Sequence, residues 1–187
     1  MLSIGGETMI RDIENFIDDT LLHKQLVLES GKVLYKYLFE IGEMDLALEL
    51  LKRCSVHDNS KLNYEEIMSF ISIPKDNDGM KNANTQMDEF MKKAISIHWK
   101  NNSHHPEYHD NPSNMTELDI MEMACDCYAR SFQFGTDLLK FIEIRQKERF
   151  NLPLDVYDKY KFYCEILVTQ GLKLDKSMQE KIKKLNK

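Results

Sequence analysis

Six histidines, all at or before position 109, are the side chains best suited to chemistry in this 187-residue chain. One of them, His57, is followed directly by Asp58 and, three residues later, by Lys61. Farther along, Glu122 and Asp126 lie four residues apart, a spacing that puts both carboxylates on one face of a helix. Imidazole and carboxylate groups together are typical ligands of divalent metal ions.

A first metal site can be assembled from these residue types. His57 and Asp58 are adjacent, so both could reach one ion from the end of a helix, and Asp58 could bridge two ions. Asp126 would add a ligand from a distant helix, and His23 would complete the set. Glu122, one turn from Asp126, would orient a ligand or a water molecule. The donor set suits Mn, Fe, Zn, Co or Mg, without selecting among them.

A second ion would be held by His98 and by either His104 or His105. Two neighbouring ions can activate a water molecule and neutralise a phosphate group. Lys61 would then act as a point charge on the phosphate, and Arg130 is a second candidate for that contact. This chemistry is the hydrolysis of a phosphoester.

Each feature taken alone also fits a structural role. A histidine on an apolar stripe, such as His23 or His98, is usually a buried core residue, and paired histidines in a polar loop are usually exposed. The order of the residues along the chain is more specific than any one of them.

That order resembles the HD-domain superfamily of metal-dependent phosphohydrolases. The superfamily pattern has an early histidine, a His-Asp doublet often followed by a lysine, further histidines and a late aspartate. The matching positions are His23, His57, Asp58, Lys61, His98, His104 or His105, and Asp126. The resemblance implies an all-α, HD-like helical bundle that binds about two divalent ions and acts as a phosphohydrolase or phosphodiesterase.

A narrower resemblance concerns residues 98–108 together with Glu122 and Asp126. These segments, which include Asn102 as a candidate substrate contact, are similar to a small HD-like family of bacterial and phage proteins. His104-His105-Pro106-Glu107 also looks like the double-histidine segment of the branch that cleaves cyclic dinucleotides. The implied substrate is a small nucleotide, such as a cyclic nucleotide or a cyclic oligonucleotide signal.

Two other functions are compatible with the same residues. The superfamily includes di-iron oxygenases with a similar His/Asp set, and a related protein could sequester a nucleotide without cleaving it. Phosphoester hydrolysis, iron-dependent oxygen uptake and binding without turnover would separate the three.

Composition limits the partners. The net charge of −6 gives no general attraction to extended nucleic acid, and no apolar run is long enough to span a membrane. The first residues lack the pattern of a signal peptide, so we expect a cytoplasmic protein of a bacterium or a phage-infected cell, which could form a homo-oligomer. The last 17 residues carry six lysines and two acidic residues, which is typical of a solvated helix face.

Only 7 glycines and 4 prolines occur, and apolar residues recur at helical spacing, so the fold is predicted to be all-α with about seven helices. One domain is expected over 1–187, with the metal-site core at about 20–150 and a basic extension at about 153–187. The predicted helices cover 8–18, 20–40, 43–54, 64–72, a segment capped by Thr85, 116–150 and a segment from Pro153. Asn63 and Glu66 are predicted to form a capping box, and 74–84 and 100–115 to form loops.

Overall fold

The computed structural model describes residues 4–73 and 85–185, and every regular element in those ranges is helical. The eight α-helices there are α1 Ile4–Glu40, α2 Met44–Val56, α3 Tyr64–Ile71, α4 Thr85–Asn101, α5 Glu117–Phe134, α6 Leu138–Arg145, α7 Leu154–Gln170 and α8 Lys176–Leu185. The all-α prediction is confirmed. None of the helices in the described ranges combines the length and the apolar character that crossing a bilayer requires.

Two helix boundaries differ from the prediction. Helix α1 is continuous, whereas the sequence predicted separate helices over 8–18 and 20–40. The residues between the two predicted helices are polar but include no glycine or proline, so nothing there breaks the helix. The long helix predicted over 116–150 ends at Phe134 instead. Gly135 adopts a left-handed conformation with φ of 65°, and the Thr136 amide donates to the Ser131 carbonyl, which together terminate α5.

The predicted capping box at the start of α3 is wrong. Asn63 occupies the N-cap position, but its side chain makes no capping hydrogen bond. Glu66 is buried and binds side chains of α4, as described below. A reciprocal capping box exists instead at the start of α5, between Thr116 and Asp119. The predicted loop at 74–84 lies outside the described residues.

The chain forms two compact units. The first contains the described residues of Met1–Leu21 and Asp58–Asn102, and the second contains those of Leu22–His57 and Ser103–Lys187. In the first unit, α3 packs against α4 around Ile73 and Ala94, and the ring of Phe16 stacks on that of Phe70 at 5.4 Å.

The second unit has the larger core. Helix α5 packs against α2, α6 and α7, and the fully buried side chains include Leu26, Leu34, Leu50, Tyr160 and Leu167. A Cβ atom at Gly31 would lie 2.7 Å from Cys54 Sγ, so a glycine lets α1 and α2 approach closely. This packing sets the register of α1, the end of α2 and α5, which supply most of the polar cluster described next.

Candidate metal centre

Five side chains of the second unit form a polar cluster inside its core, here called the Asp126 cluster. Helix α1 contributes one histidine, the C-cap residue of α2 is a second, and the turn after Ser103 contributes a third. Helix α5 contributes two carboxylates. The members are His23, His57, His104, Glu122 and Asp126.

His23 is the most completely enclosed member, with none of its side chain exposed. Its Nε2 lies 2.9 Å from Asp126 Oδ1, but the contact lacks hydrogen-bond geometry, and neither ring nitrogen of His23 has a hydrogen-bond partner among the described residues. Buried polar groups are almost always hydrogen-bonded, so a buried imidazole facing a carboxylate in this way requires an explanation.

His57 is held by a carboxylate on one side and faces another on the opposite side. Its Nδ1 lies 2.9 Å from Glu122 Oε1, and its Nε2 lies 3.9 Å from Asp126 Oδ1. Because an ionised carboxylate can only accept, Nδ1 donates to Glu122, and the lone pair of a neutral ring would then be on Nε2. This is how metal-binding histidines are commonly oriented in proteins.

His104 is placed similarly. Its Nδ1 lies 3.4 Å from the same Glu122 oxygen and its Nε2 lies 3.8 Å from Asp126 Oδ2. The His104 side chain is buried, whereas His105 is half-buried, with its ring centroid 4.1 Å from that of His104. The two neighbouring histidines therefore have different environments.

Arg53 holds Glu122 in place, and Asp119 in turn holds Arg53. No role was predicted from the sequence for Arg53 or Asp119. Arg53, on the last turn of α2, donates to Glu122 Oε2 at 2.8 Å and to Asp119 Oδ1 at 2.6 Å. Helical spacing could have identified both residues. Arg53 precedes His57 by one helical turn, and Asp119 extends the Glu122–Asp126 face of α5 by one more turn.

Electrostatics keep His23 and Asp126 in the protonation states that bind metal ions. Burial, aided by the positive charge of Arg130, lowers the pKa of His23 to about 3, so its ring is neutral at pH 7. Burial would raise the pKa of Asp126, but the rings of His23, His57 and His104 outweigh it and hold that pKa well below its usual range. Neutral imidazoles and an ionised carboxylate are the forms that bind metal ions.

The spacing of these atoms fits a metal ion. Ligand atoms about 2.1 Å from a common ion lie about 3–4 Å from one another, depending on the angle between them. The contacts of 2.9 and 3.9 Å that link His23, His57 and Asp126 fall in or close to that range. These three side chains could therefore hold one ion, and His57, His104 and Glu122 form a second group that could.

A second polar cluster belongs to the first unit and is here called the Asp58 cluster: Asp58, Lys61, Glu66 and His98. His98 Nδ1 lies 3.0 Å from Glu66 Oε2, and its Nε2 lies 3.5 Å from Asp58 Oδ1. The other carboxylate oxygen of Asp58 accepts from Lys61 Nζ at 2.7 Å. Asp58 itself has φ of 52°, a left-handed conformation that an L-residue rarely adopts.

Glu66 has a tertiary role in place of the predicted local one. Besides facing His98, it accepts from Asn101 Nδ2 at 2.8 Å. Burial lowers the pKa of His98, although Glu66 and Asp58 oppose that shift. The contact joins residues 32 positions apart, so no local spacing rule could have found it.

The remaining candidates have the following places. Arg130 is half-buried on α5 and donates to Gln133 at 3.0 Å. Asn102 is half-buried at the end of α4 and donates to Ser60 Oγ at 2.8 Å. That Asp58 shares an ion with His57 stays a prediction, as do the substrate contacts of Lys61, Asn102 and Arg130.

Comparison with known proteins identifies a family for the chain. Neither the curated proteins nor the solved structures contain a significant match to the chain. A family model covers most of it, including the whole of the Asp126 cluster and the Asp58 cluster. The chain belongs to the family of unknown function DUF5662, whose model matches residues 12–172.

Proposed function

We propose that this chain is a metal-dependent phosphohydrolase or phosphodiesterase acting on a small nucleotide, with its first ion held by the Asp126 cluster. The observation that carries the proposal is His23: a fully buried imidazole, without a hydrogen-bond partner among the described residues, lies 2.9 Å from a carboxylate oxygen. A core histidine retained only for packing would be expected to satisfy at least one ring nitrogen.

The exposure of the cluster favours a catalytic over a structural ion. The side chains of His23 and His57 are wholly buried, whereas 16% of the Asp126 side chain is exposed. A structural site is usually closed by four protein ligands, and a catalytic site keeps one position open. Asp126 therefore marks the side from which water and substrate would enter.

The protein residues divide the work as follows. His23, His57 and Asp126 would bind the ion, and Glu122 fixes the ring of His57 so that Nε2 carries the lone pair. An ion bound there would lower the pKa of a water molecule and neutralise charge on a phosphate.

Substrate class is inferred from nearby charge and from the resemblance to phosphohydrolases. Arg130 follows Asp126 by one turn on α5 and is close enough for its charge to lower the pKa of His23. A guanidinium beside a metal centre matches a phosphate oxygen in charge and geometry. The chain as a whole is acidic, which favours a small phosphoester over an extended nucleic acid.

The test is a two-step experiment on the purified chain. Metal content would be measured first, and the protein loaded with Mn, Fe, Zn, Co or Mg would then be screened against nucleotides, cyclic nucleotides and cyclic oligonucleotides. We expect metal-dependent phosphate-ester hydrolysis that His57→Ala abolishes. Iron-dependent oxygen uptake without hydrolysis would instead identify an oxygenase, and tight nucleotide binding without turnover a sequestering protein; either result would overturn the proposal.

A further inference from the structure

Arg53 contacts three side chains of the second unit, two of them on α5 and the third that of Ser103, which directly precedes His104. Its Nε donates to Glu122 Oε2 at 2.8 Å, and its Nη2 lies 2.7 Å from the same oxygen. The same Nη2 donates to Asp119 Oδ1 at 2.6 Å and to Ser103 Oγ at 2.8 Å. The side chain is 23% exposed, so these bonds are only partly screened by water.

The two oxygens of Glu122 have different tasks. Oε2 accepts from Arg53, which leaves Oε1 to face the rings of His57 and His104 at 2.9 and 3.4 Å. Both rings meet Oε1 through Nδ1, and both turn Nε2 towards Asp126. One carboxylate oxygen thus sets the orientation of two imidazoles at once.

We propose that Arg53 is a positioning residue: by holding Oε2 of Glu122 it fixes Oε1 as the shared acceptor that keeps His57 and His104 in the Nδ1–H form. The inference deepens the proposed function and rests on it for the claim that these rings are metal ligands. The orientation of the rings can be measured without any metal.

A guanidinium is suited to this task and an ammonium is not. Arg53 has a planar, rigid fork of donors that can bind Glu122 and Asp119 together in fixed directions. Lysine would keep the positive charge but would contact the carboxylates as a mobile point charge. Arg53→Lys therefore separates the loss of positioning from the loss of charge.

A purely structural Arg53 makes a different prediction. It would stabilise the fold through its ion pairs, and its replacement would lower the unfolding temperature without altering which ring nitrogen carries the proton. The tautomer of His57 and His104 is thus a readout that a structural role would not move.

The experiment uses 15N NMR of the histidine rings in the metal-free protein, followed by Mn and Zn affinities from calorimetry. In the unsubstituted chain we expect Nδ1–H tautomers for His57 and His104. Arg53→Lys should give mixed tautomers and weaken metal binding about 10- to 100-fold, the range for losing a group that orients a ligand. Lys52→Met is the matched control, since Lys52 is an exposed neighbour on α2 that pairs only with Glu49 among the contacts described; it should change neither quantity.

A second variant covers the case in which Arg53→Lys does not fold. Asp119→Asn weakens the other anchor of Arg53 while leaving Glu122 and the rings in place, and it should shift both readouts in the same direction by less. Unchanged tautomers and metal affinity within twofold of the unsubstituted protein, in whichever variant folds, would overturn the inference. If the tautomers depend on Arg53 but no metal binds the unsubstituted chain, the positioning role stands and the proposed function fails.

Discussion

The Asp126 cluster and the Asp58 cluster repeat one arrangement in the two units. In each, a glutamate accepts from the Nδ1 of a histidine whose Nε2 faces an aspartate: Glu122, His57 and Asp126 in the second unit, and Glu66, His98 and Asp58 in the first. The clusters differ in what holds the carboxylates.

That difference predicts unequal affinities for a cation. Asp58 is neutralised by Lys61 at 2.7 Å, so a cation must displace or share that ammonium. Asp126 instead faces the rings of His23, His57 and His104 and not an ammonium group. We therefore expect the same His–Glu support to accompany an ion pair in the first unit and, under the proposed function, a metal ligand in the second, because the charge opposite the aspartate differs.

The largest effect is expected at the aspartate of the second unit. Asp126→Asn removes the charged ligand that three rings face, so metal affinity should fall by at least about 100-fold, more than for a group that only orients ligands. Metal content after dialysis and helical circular dichroism would be measured together. Asp158→Asn, an exposed position on α7, is the control. Retained metal in Asp126→Asn would mean that the ion is held elsewhere.

Lys61→Met tests the other side of the comparison. Lysine is a donor only, so its removal should spare the metal held by the Asp126 cluster. The sequence predicts that its charge meets the phosphate, and in that case turnover should fall about 100-fold, the usual scale for losing a charge that stabilises a developing oxyanion. Hydrolysis at the unsubstituted rate would assign Lys61 to the Asp58 ion pair alone.

Acid should destabilise the metal-free protein through the Asp126 cluster. His23 has a pKa of about 3 when folded and near 6.5 when unfolded, so between those values the unfolded state binds a proton that the folded state does not. The unfolding free energy should therefore fall, by on the order of a few kcal/mol, as the pH drops from 6.5 to 3. Chemical denaturation across that range would measure it. His23→Leu should make the unfolding free energy depend less on pH between 6.5 and 3. An unchanged dependence on pH would mean that other groups cause it.

The smallest effect is expected from Glu66→Gln. Glutamine keeps the shape of the side chain but weakens two charge-assisted hydrogen bonds, to His98 and Asn101. We expect the unfolding free energy to fall by about 1–2 kcal/mol. Metal affinity at the Asp126 cluster should not change. Thermal unfolding and metal titration of Glu66→Gln beside Glu122→Gln would show whether the two glutamates differ as the clusters do; equal losses of metal affinity would contradict the comparison.

Most members of the Asp126 cluster can be predicted from the sequence, because their residue types and their order along the chain identify them. His57, Glu122 and Asp126 are candidates on their residue types and spacing, and the order of residues along the chain adds His23; the fold brings the four together. The fold class follows from composition and helical spacing. The helix boundaries are harder to predict: a strong periodic pattern runs on past Gly135, whose left-handed conformation ends α5.

Tertiary contact between distant residues is what the sequence does not predict. Arg53 reaches Glu122 across 69 positions, and Glu66 reaches His98 across 32. Asn63 precedes Glu66 by three residues, the spacing of a local capping box, yet a buried carboxylate is better stabilised by an imidazole and an amide than by a single backbone amide. Such competition between local and distant partners is decided by packing.

The most direct test of the central claim is an anomalous diffraction map of crystals grown with Mn or Zn, collected at the absorption edge of the metal. We expect an ion within about 2.0–2.3 Å of Nε2 of His23, Nε2 of His57 and a carboxylate oxygen of Asp126. A map with no anomalous peak among these three side chains, at a metal concentration that saturates binding in solution, would contradict it.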